Sequence, residues 1–335
     1  MSKNLRCKTR QPLAELIPLS TPFLLRIEPT NACNLSCVFC PTGDKKLLRK
    51  FRRPLGVMNY ELYKKIIDDL KDFDVKIKKL FFYKDGEPLL NPKLVDMILY
   101  ANHNDVAEEM WITTNGTLLN PRINRALVKA GLKVIKISIY GISSEQYYKI
   151  CHNEINYKRL IDNIRDLYEN RGSCHIHVKL VRGKLLPGEK NKFVRDFGEI
   201  SSSLGIENLM GWSMSNIKDF TMGTNPVTTT DGLPLVPKEI CPYPFYSLAV
   251  NFNGTVSVCC ADWSHKTIVG DLRKESLREV WTGKQLYDFC IMHLRKERHR
   301  NCACGNCQYL STILDYIDDK ADRIYQRLLY NKPTK

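Results

Sequence analysis

No apolar run in this sequence approaches the roughly 18 residues that a membrane span needs, and the start "MSKNLRCKTR" has no secretory hydrophobic region. These absences predict a cytoplasmic protein, in a compartment where thiols stay reduced. The dinucleotide motif Gly-x-Gly-x-x-Gly is missing, which argues against a nicotinamide- or flavin-binding Rossmann domain. Internal repeats and low-complexity tracts are missing too, so solenoid and disordered architectures drop out. Charges are out of balance: 51 Lys and Arg against 36 Asp and Glu give a net +15. That excess attracts anions, whether nucleic acid, acidic lipid or a phosphorylated small molecule.

What is present in quantity is cysteine, 13 in 335 residues. A disulfide framework suits short secreted chains and an even count, so metal ligation is the better reading. The cysteines also cluster. Cys33, Cys37 and Cys40 form one group, a looser one runs from Cys241 to Cys290, and Cys302, Cys304 and Cys307 close the series. Only Cys7, Cys151 and Cys174 stand apart.

Around them, strands alternate with helices. "FLLRIEP" (23–29), "KLFFYKDG" (79–86), "MWITTNG" (110–116), "VIKISIYG" (134–141) and "HIHVKLVRG" (175–183) read as strands, with a sixth near "NLMGWSM" (208–214). The intervening segments at 59–73, 91–103, 120–131 and 156–170 have helical apolar spacing, and each opens with Asn, a favoured N-cap. This pattern predicts an α/β fold: a partial (β/α)6 barrel of parallel strands, with chemistry at their carboxyl ends. The cysteine triplet, "DGEP", "TNG" and "YG" all fall at that end.

Three thiolates from one loop are an incomplete set. Structural zinc wants four ligands, and no histidine lies near enough in sequence to complete it. Iron–sulfur cubanes are also held by four cysteines as a rule, so three leave one iron open to a small molecule. Cys-x-x-x-Cys-x-x-Cys with Phe39 before the last cysteine resembles the loop of the radical S-adenosylmethionine (SAM) enzymes. The resemblance spans about residues 20 to 215 and implies a cluster whose open iron binds SAM, whose reductive cleavage gives a hydrogen-abstracting 5′-deoxyadenosyl radical.

Other turns extend the likeness. Gly86, Glu87 and Pro88 match the family's Gly-Gly-Glu-Pro turn, which holds the methionyl amino group, with Asp85 in place of the first Gly. Ser138 matches a ribose-contacting serine, although Tyr140 stands where an acid is usual. Asn115 matches a turn on the adenosyl side and reads equally well as a turn Asn before Gly. Either Lys179 or Arg182 meets the methionyl carboxylate on this analogy.

Further on, Cys241, twelve residues, Gly254, four residues and Cys259, followed by Cys304-x-x-Cys307, resemble a SPASM or twitch auxiliary-cluster domain. With no cysteine after Cys307, one auxiliary 4Fe–4S cluster on Cys241, Cys259, Cys304 and Cys307 is expected, with Cys260 and Cys302 able to substitute. The expected organisation is an extension (1–19), the barrel (20–216), a Thr/Pro/Gly-rich linker (217–240), the cluster domain (241–311) and a C-terminal helix (312–335).

The leading functional reading is a radical enzyme acting on a small, anionic, sugar-like substrate, with the auxiliary cluster accepting an electron. Tyr140, Arg182, Asp262 and His265 are the base or anchor candidates. The basic stretch "DKKLLRKFRRPLG" (44–56) reads either as a solvated loop or as a phosphate clamp for a phosphorylated, nucleotide-linked or lipid-linked sugar. A flavodoxin- or ferredoxin-type donor would supply the electron. A peptide-modifying maturase is the alternative, although the roughly 20 residues ahead of the first strand are few for a leader-binding domain. The remote alternative is a non-catalytic zinc and nucleic-acid-binding protein, which the lack of aromatics among the basic runs beyond Phe51 disfavours.

Overall fold

The computed structural model describes residues 11–181, 183, 185–224, 228–229 and 233–332. Cys7 and Arg182 lie outside the described residues.

The strands are β1 (Leu24–Ile27), β2 (Ile77–Phe81), β3 (Ala107–Thr114), β4 (Val134–Ile139), β5 (His175–Val181), β6 (Ser203–Glu207), β7 (Ser247–Val250), β8 (Thr255–Ser257) and β9 (Ile268–Asp271). They make one sheet in the order β6-β5-β4-β3-β2-β1-β7-β8-β9. The first six pair parallel in sequence order, which is the partial barrel the strand–helix alternation predicts.

Alternation along each strand separates two environments. Leu25, Ile27, Leu80, Ile112, Ile135, Ile137, Ile176 and Val178 point to the helix side, fully buried. The opposite face carries Arg26, Phe81, Trp111, Lys136, Ser138 and Lys179 toward the barrel interior.

Three expected Asn caps hold. Asn59 accepts from the backbone of Glu61 and Leu62, Asn120 from Arg122 and Ile123, and Asn156 from Arg159. Asn91 differs: its helix starts at Leu94, and its amide donates to Pro29 O at 2.8 Å, tying the turn after β2 to the exit of β1.

The sixth strand is not at 208–214. It runs upstream, Ser203–Glu207, in register with β5. The 208–214 backbone bonds instead to the C-terminal part: Trp212 O accepts from Gln308 N, Ser213 N donates to Ala261 O, and Met214 N to Ala303 O. The basic stretch is no open loop either. Asp44 caps a helix over Lys45–Lys50, because Leu47 and Leu48 bury against Met214, Phe220 and Trp263.

Nor is 312–335 one helix. Ile313, Ile317, Ala321, Ile324 and Leu328 are all buried as the spacing implied, but the helix spans only Ala321–Tyr330. Asp318 draws the chain off that axis by accepting from the backbone of Glu239 and Ile240.

The C-terminal part joins the barrel sheet. β7 pairs parallel with β1, and β8 and β9 follow antiparallel. One apolar core therefore runs from Leu13 to Leu328.

Candidate functional site

The loop leaving β1 carries Cys33, Cys37 and Cys40, the second buried and the others half-buried. Its shape is held from the far side by the end of the helix Ser144–Cys151. Ser36 N donates to Cys151 O (2.9 Å), Val38 N to Ile150 O (3.0 Å), and the Asn153 amide to Asn34 O (2.7 Å). Cys151, which stands apart from the clustered cysteines in the sequence, puts its Sγ 3.4 Å from that of Cys37. Burial pushes the Cys33 thiol up to about 12 and that of Cys40 up to about 11, so iron must displace their protons. The ring of Phe39 lies 5.4 Å from that of Tyr140. Tyr140 faces all three cysteines, and burial followed by their negative charge raises its phenol well above the ordinary range.

The turn after β2 lies against this loop. A Cβ on Gly86 would sit 2.4 Å from Thr30 O and 2.5 Å from Ala32 O, so only glycine fits there. Glu87 N donates to Ala32 O at 2.8 Å. Asp85 adopts an ordinary negative φ, so its replacement of a glycine brings no backbone strain.

The Glu87 carboxylate accepts from Thr114 Oγ1 (2.7 Å), Leu89 N (3.1 Å) and Asn115 N (2.7 Å). Burial nevertheless lifts it to about 7. Pro88 opens the short 3-10 turn that follows. Asn115 does more than precede Gly116: its amide donates to Asn34 Oδ1 at 2.9 Å, within the cluster loop. Ser138 is buried on β4 beside Lys179, its register partner on β5. Lys179 is held by Glu207 at 2.6 Å.

In the second group, Cys241, Cys259, Cys304 and Cys307 line one cavity walled by Val258 and Leu310. They arrive from three segments, which sequence spacing alone does not bring together. Cys302 is exposed, away from the cavity. Cys260 turns the other way, where a hydrogen bond from Cys259 and the nearby Arg26 and Lys84 pull its thiol down to about 6 against its burial.

His293, which the sequence analysis did not single out, lines the same cavity. Its Nδ1 accepts from Cys241 N at 3.4 Å, and its buried Nε2 has no partner among the described residues. Four thiols on one cavity, and three on one loop beside a turn too tight for a Cβ, fit the donor sets of two iron–sulfur clusters.

Between the groups stand the remaining candidates. Asp262 is buried, and both of its oxygens are taken. Oδ1 accepts from Ser264 Oγ and Lys266 N, and Oδ2 from Thr267 N and Oγ1. This carboxylate braces the hairpin and leaves no lone pair directed at a substrate. His265, at φ +55°, has an unpartnered Nε2, and burial lowers it to about 4. This base or anchor candidate is turned toward Glu28 and Asp85. Among the described residues, no helix is long and apolar enough to cross a membrane.

Comparison with known proteins agrees with this geometry. The sequence model of the Radical SAM superfamily matches residues 27–190, and that of the SPASM iron–sulfur cluster-binding domain matches residues 241–308. A GTP 3′,8-cyclase of Aquifex aeolicus is 28% identical over 228 residues, 68% of each chain. A GTP 3′,8-cyclase of Clostridium acetobutylicum is 29% identical over 184 residues, and the match spans 54% of its length.

Among solved structures, BtrN in complex with AdoMet and 2-DOIA superposes with a TM-score of 0.58 at 19% identity, covering 88% of this chain and 96% of that one. Streptococcus suis SuiB bound to its precursor peptide SuiA gives 0.59 at 17% identity, covering 90% and 72%. Matching models over both parts, a matching fold and two convergent cysteine sets lead to one assignment. The chain is a member of the radical SAM superfamily, an enzyme with a SAM-binding 4Fe–4S cluster and a C-terminal SPASM iron–sulfur domain.

Proposed function

We propose that this enzyme removes a hydrogen atom from a small sugar-like substrate and oxidises it by one further electron, a net dehydrogenation. Loaded with its cofactors, the first cluster with SAM supplies the 5′-deoxyadenosyl radical, and the second supplies a one-electron acceptor. Cys33, Cys37 and Cys40 would hold the first cluster and leave one iron for SAM. Gly86, Glu87 and Pro88 take the methionyl amino group, and Asn115 and Ser138 take the adenosyl side. Lys179, which is paired with Glu207, or Arg182 takes the methionyl carboxylate.

The observation that carries the redox assignment is the four-cysteine cavity. Cys241, Cys259, Cys304 and Cys307 would give one auxiliary cluster a closed ligand set with no corner for substrate, which suits electron transfer. Asp262 is engaged in its turn and His265 Nε2 has no hydrogen-bond partner among the described residues, which supports His265 as the base, with Tyr140 as a shield of the first cluster. A flavodoxin- or ferredoxin-type protein is the electron donor, and the cytoplasm the compartment.

The solved relative bound to 2-DOIA supports a small-molecule substrate. The one bound to a precursor peptide favours a second reading, peptide modification. Anaerobic incubation with SAM, dithionite and deuterated nucleotide sugars or candidate peptides separates them, because the 5′-deoxyadenosine gains deuterium only from the true substrate. Replacing Cys304 and Cys307 by Ala should preserve 5′-deoxyadenosine formation and abolish product. Undiminished product would refute the electron-acceptor role.

A further inference from the structure

The cavity that collects Cys241, Cys259, Cys304 and Cys307 has other polar side chains in its wall, and they divide into two kinds. Three are engaged. Asp262 accepts from Ser264, Lys266 and Thr267, Thr267 Oγ1 donates to Asp262, and Arg298 donates to the carbonyls of Cys304 and Gly305. Two are not. His293 Nε2 and Ser213 Oγ are buried and have no partner among the described residues.

These two reach the cavity from unrelated segments. His293 stands in the last turn of the helix Lys284–Leu294, 1% exposed, with its ring 5.3 Å from that of Phe289. Ser213, 3% exposed, is fixed through its backbone: its N donates to Ala261 O (3.3 Å) and its O accepts from Trp263 Nε1 (2.9 Å). Val258, Ala261, Ala303 and Leu310 complete much of the wall and offer no side-chain acceptor. A buried donor left unpaired carries its full desolvation cost, so two of them at one cavity are arranged for what the cavity holds.

Hydrogen bonding decides how His293 would meet it. The backbone N–H of Cys241 donates to Nδ1 at 3.4 Å, so Nδ1 carries the lone pair and the neutral ring carries its proton on Nε2. In that tautomer Nε2 cannot ligate iron. Ligation would need the proton on Nδ1, facing the N–H of Cys241. What remains for Nε2 is to donate, and the acceptor a cluster offers is sulfur. Ala261 N already donates in this way to Cys259 Sγ, at 3.2 Å.

We infer that His293 and Ser213 are hydrogen-bond donors to the sulfur of the auxiliary cluster, not ligands of it, and that they set its potential. The inference rests on the four-cysteine assignment above and goes beyond it in naming the groups that tune the cluster. Donors to sulfur stabilise the more negative, reduced state, so both residues raise the midpoint potential. That is the direction an electron acceptor needs.

The test is a redox titration of the anaerobically reconstituted full chain, followed by EPR. A companion protein with Cys33, Cys37 and Cys40 replaced by Ala identifies the signal of the second cluster. His293→Phe, which fills the space without a donor, should leave about tenfold less reduced auxiliary cluster at a fixed potential, about 59 mV for one electron. Ser213→Ala should move the potential the same way. His293→Gln, whose amide can still donate, should stay close to the unaltered protein. Isotope labelling of the histidine nitrogens reads the contact directly: pulsed EPR of the reduced auxiliary cluster should show one weak nitrogen coupling that His293→Phe removes.

A potential unchanged in both His293→Phe and Ser213→Ala, with the cluster retained, overturns the inference. So does the strong coupling of a directly coordinated imidazole, or no coupling at all. Should His293→Phe fail to hold its cluster, the coupling in the unaltered protein decides. Iron and sulfide for only one cluster in the unaltered protein, about four of each, would refute the four-cysteine assignment and the inference with it, whereas two clusters without the coupling would refute the donor role alone.

Discussion

At the residue scale, the chemistry of the first cluster depends on groups beyond its three cysteines. With Cys37 deprotonated as an iron ligand, the Cys151 thiol 3.4 Å away would be the donor of the pair. Hydrogen bonds to cluster sulfur stabilise the reduced state, so Cys151→Ala should lower the midpoint potential, with Cys151→Ser close to the unaltered protein. About tenfold less reduced cluster at a fixed potential, about 59 mV for one electron, is the expected size, read by potentiometric EPR. Nothing in the sequence pointed to Cys151. It stands 114 positions from Cys37, and only the fold brings a helix end to the loop. His293 escaped notice for the same reason, since a histidine in a basic run looks solvated until the cavity beside it is seen.

Histidines also set the acid response. Burial is the first cause holding His177, His265 and His293 near 4, below the ordinary 6.5. Groups depressed in the folded state bind protons on unfolding, so their contribution to stability is intact above pH 6.5 and is lost as pH falls toward 4. Each such proton adds about 1.4 kcal/mol per pH unit to the slope inside that window. His177→Gln should make the fall between pH 6.5 and 4 shallower than in the unaltered protein, as measured by urea midpoints. An identical slope would show that His177 titrates alike in both states.

At the element scale, the tight join is the turn after β2 against the loop after β1. Gly86→Ala places a methyl 2.4 Å from a backbone carbonyl that cannot yield, so the two segments must separate. A cost of about 1–3 kcal/mol in unfolding free energy is expected, with weakened SAM binding, by denaturant titration and calorimetry.

Local patterns made most elements readable: five strands from their β-branched runs and three helix starts from their Asn caps. The errors share one cause, tertiary contact overriding local pattern. "NLMGWSM" has the composition of a strand but gives its backbone to residues of the C-terminal part. The 44–56 stretch is charged enough to be a loop, yet two leucines fold part of it into a helix on Trp263. Asn91 reads as a cap and serves as a strut to Pro29.

At the scale of the whole molecule, the two cluster sites belong to one body. β7 extends the barrel sheet beside β1, so the strand that leads into the first cysteine loop is neighbour to the strand that leads toward Cys259. Lys84 and Asp262 close the same gap from above. A shared sheet fixes the spacing between the two cluster sites more firmly than a linker would. The cysteine motifs announced both sites, but the pairing of β7 with β1 has no local sequence signal.

The most direct measurement uses protein with Cys304 and Cys307 replaced by Ala, which keeps the three-cysteine loop and disables the second site. Reduced anaerobically, its EPR spectrum should shift when SAM is added, and the shift should vanish when Cys33, Cys37 and Cys40 are also replaced. A spectrum indifferent to SAM, or a shift that survives loss of those three cysteines, would contradict an open iron at that loop.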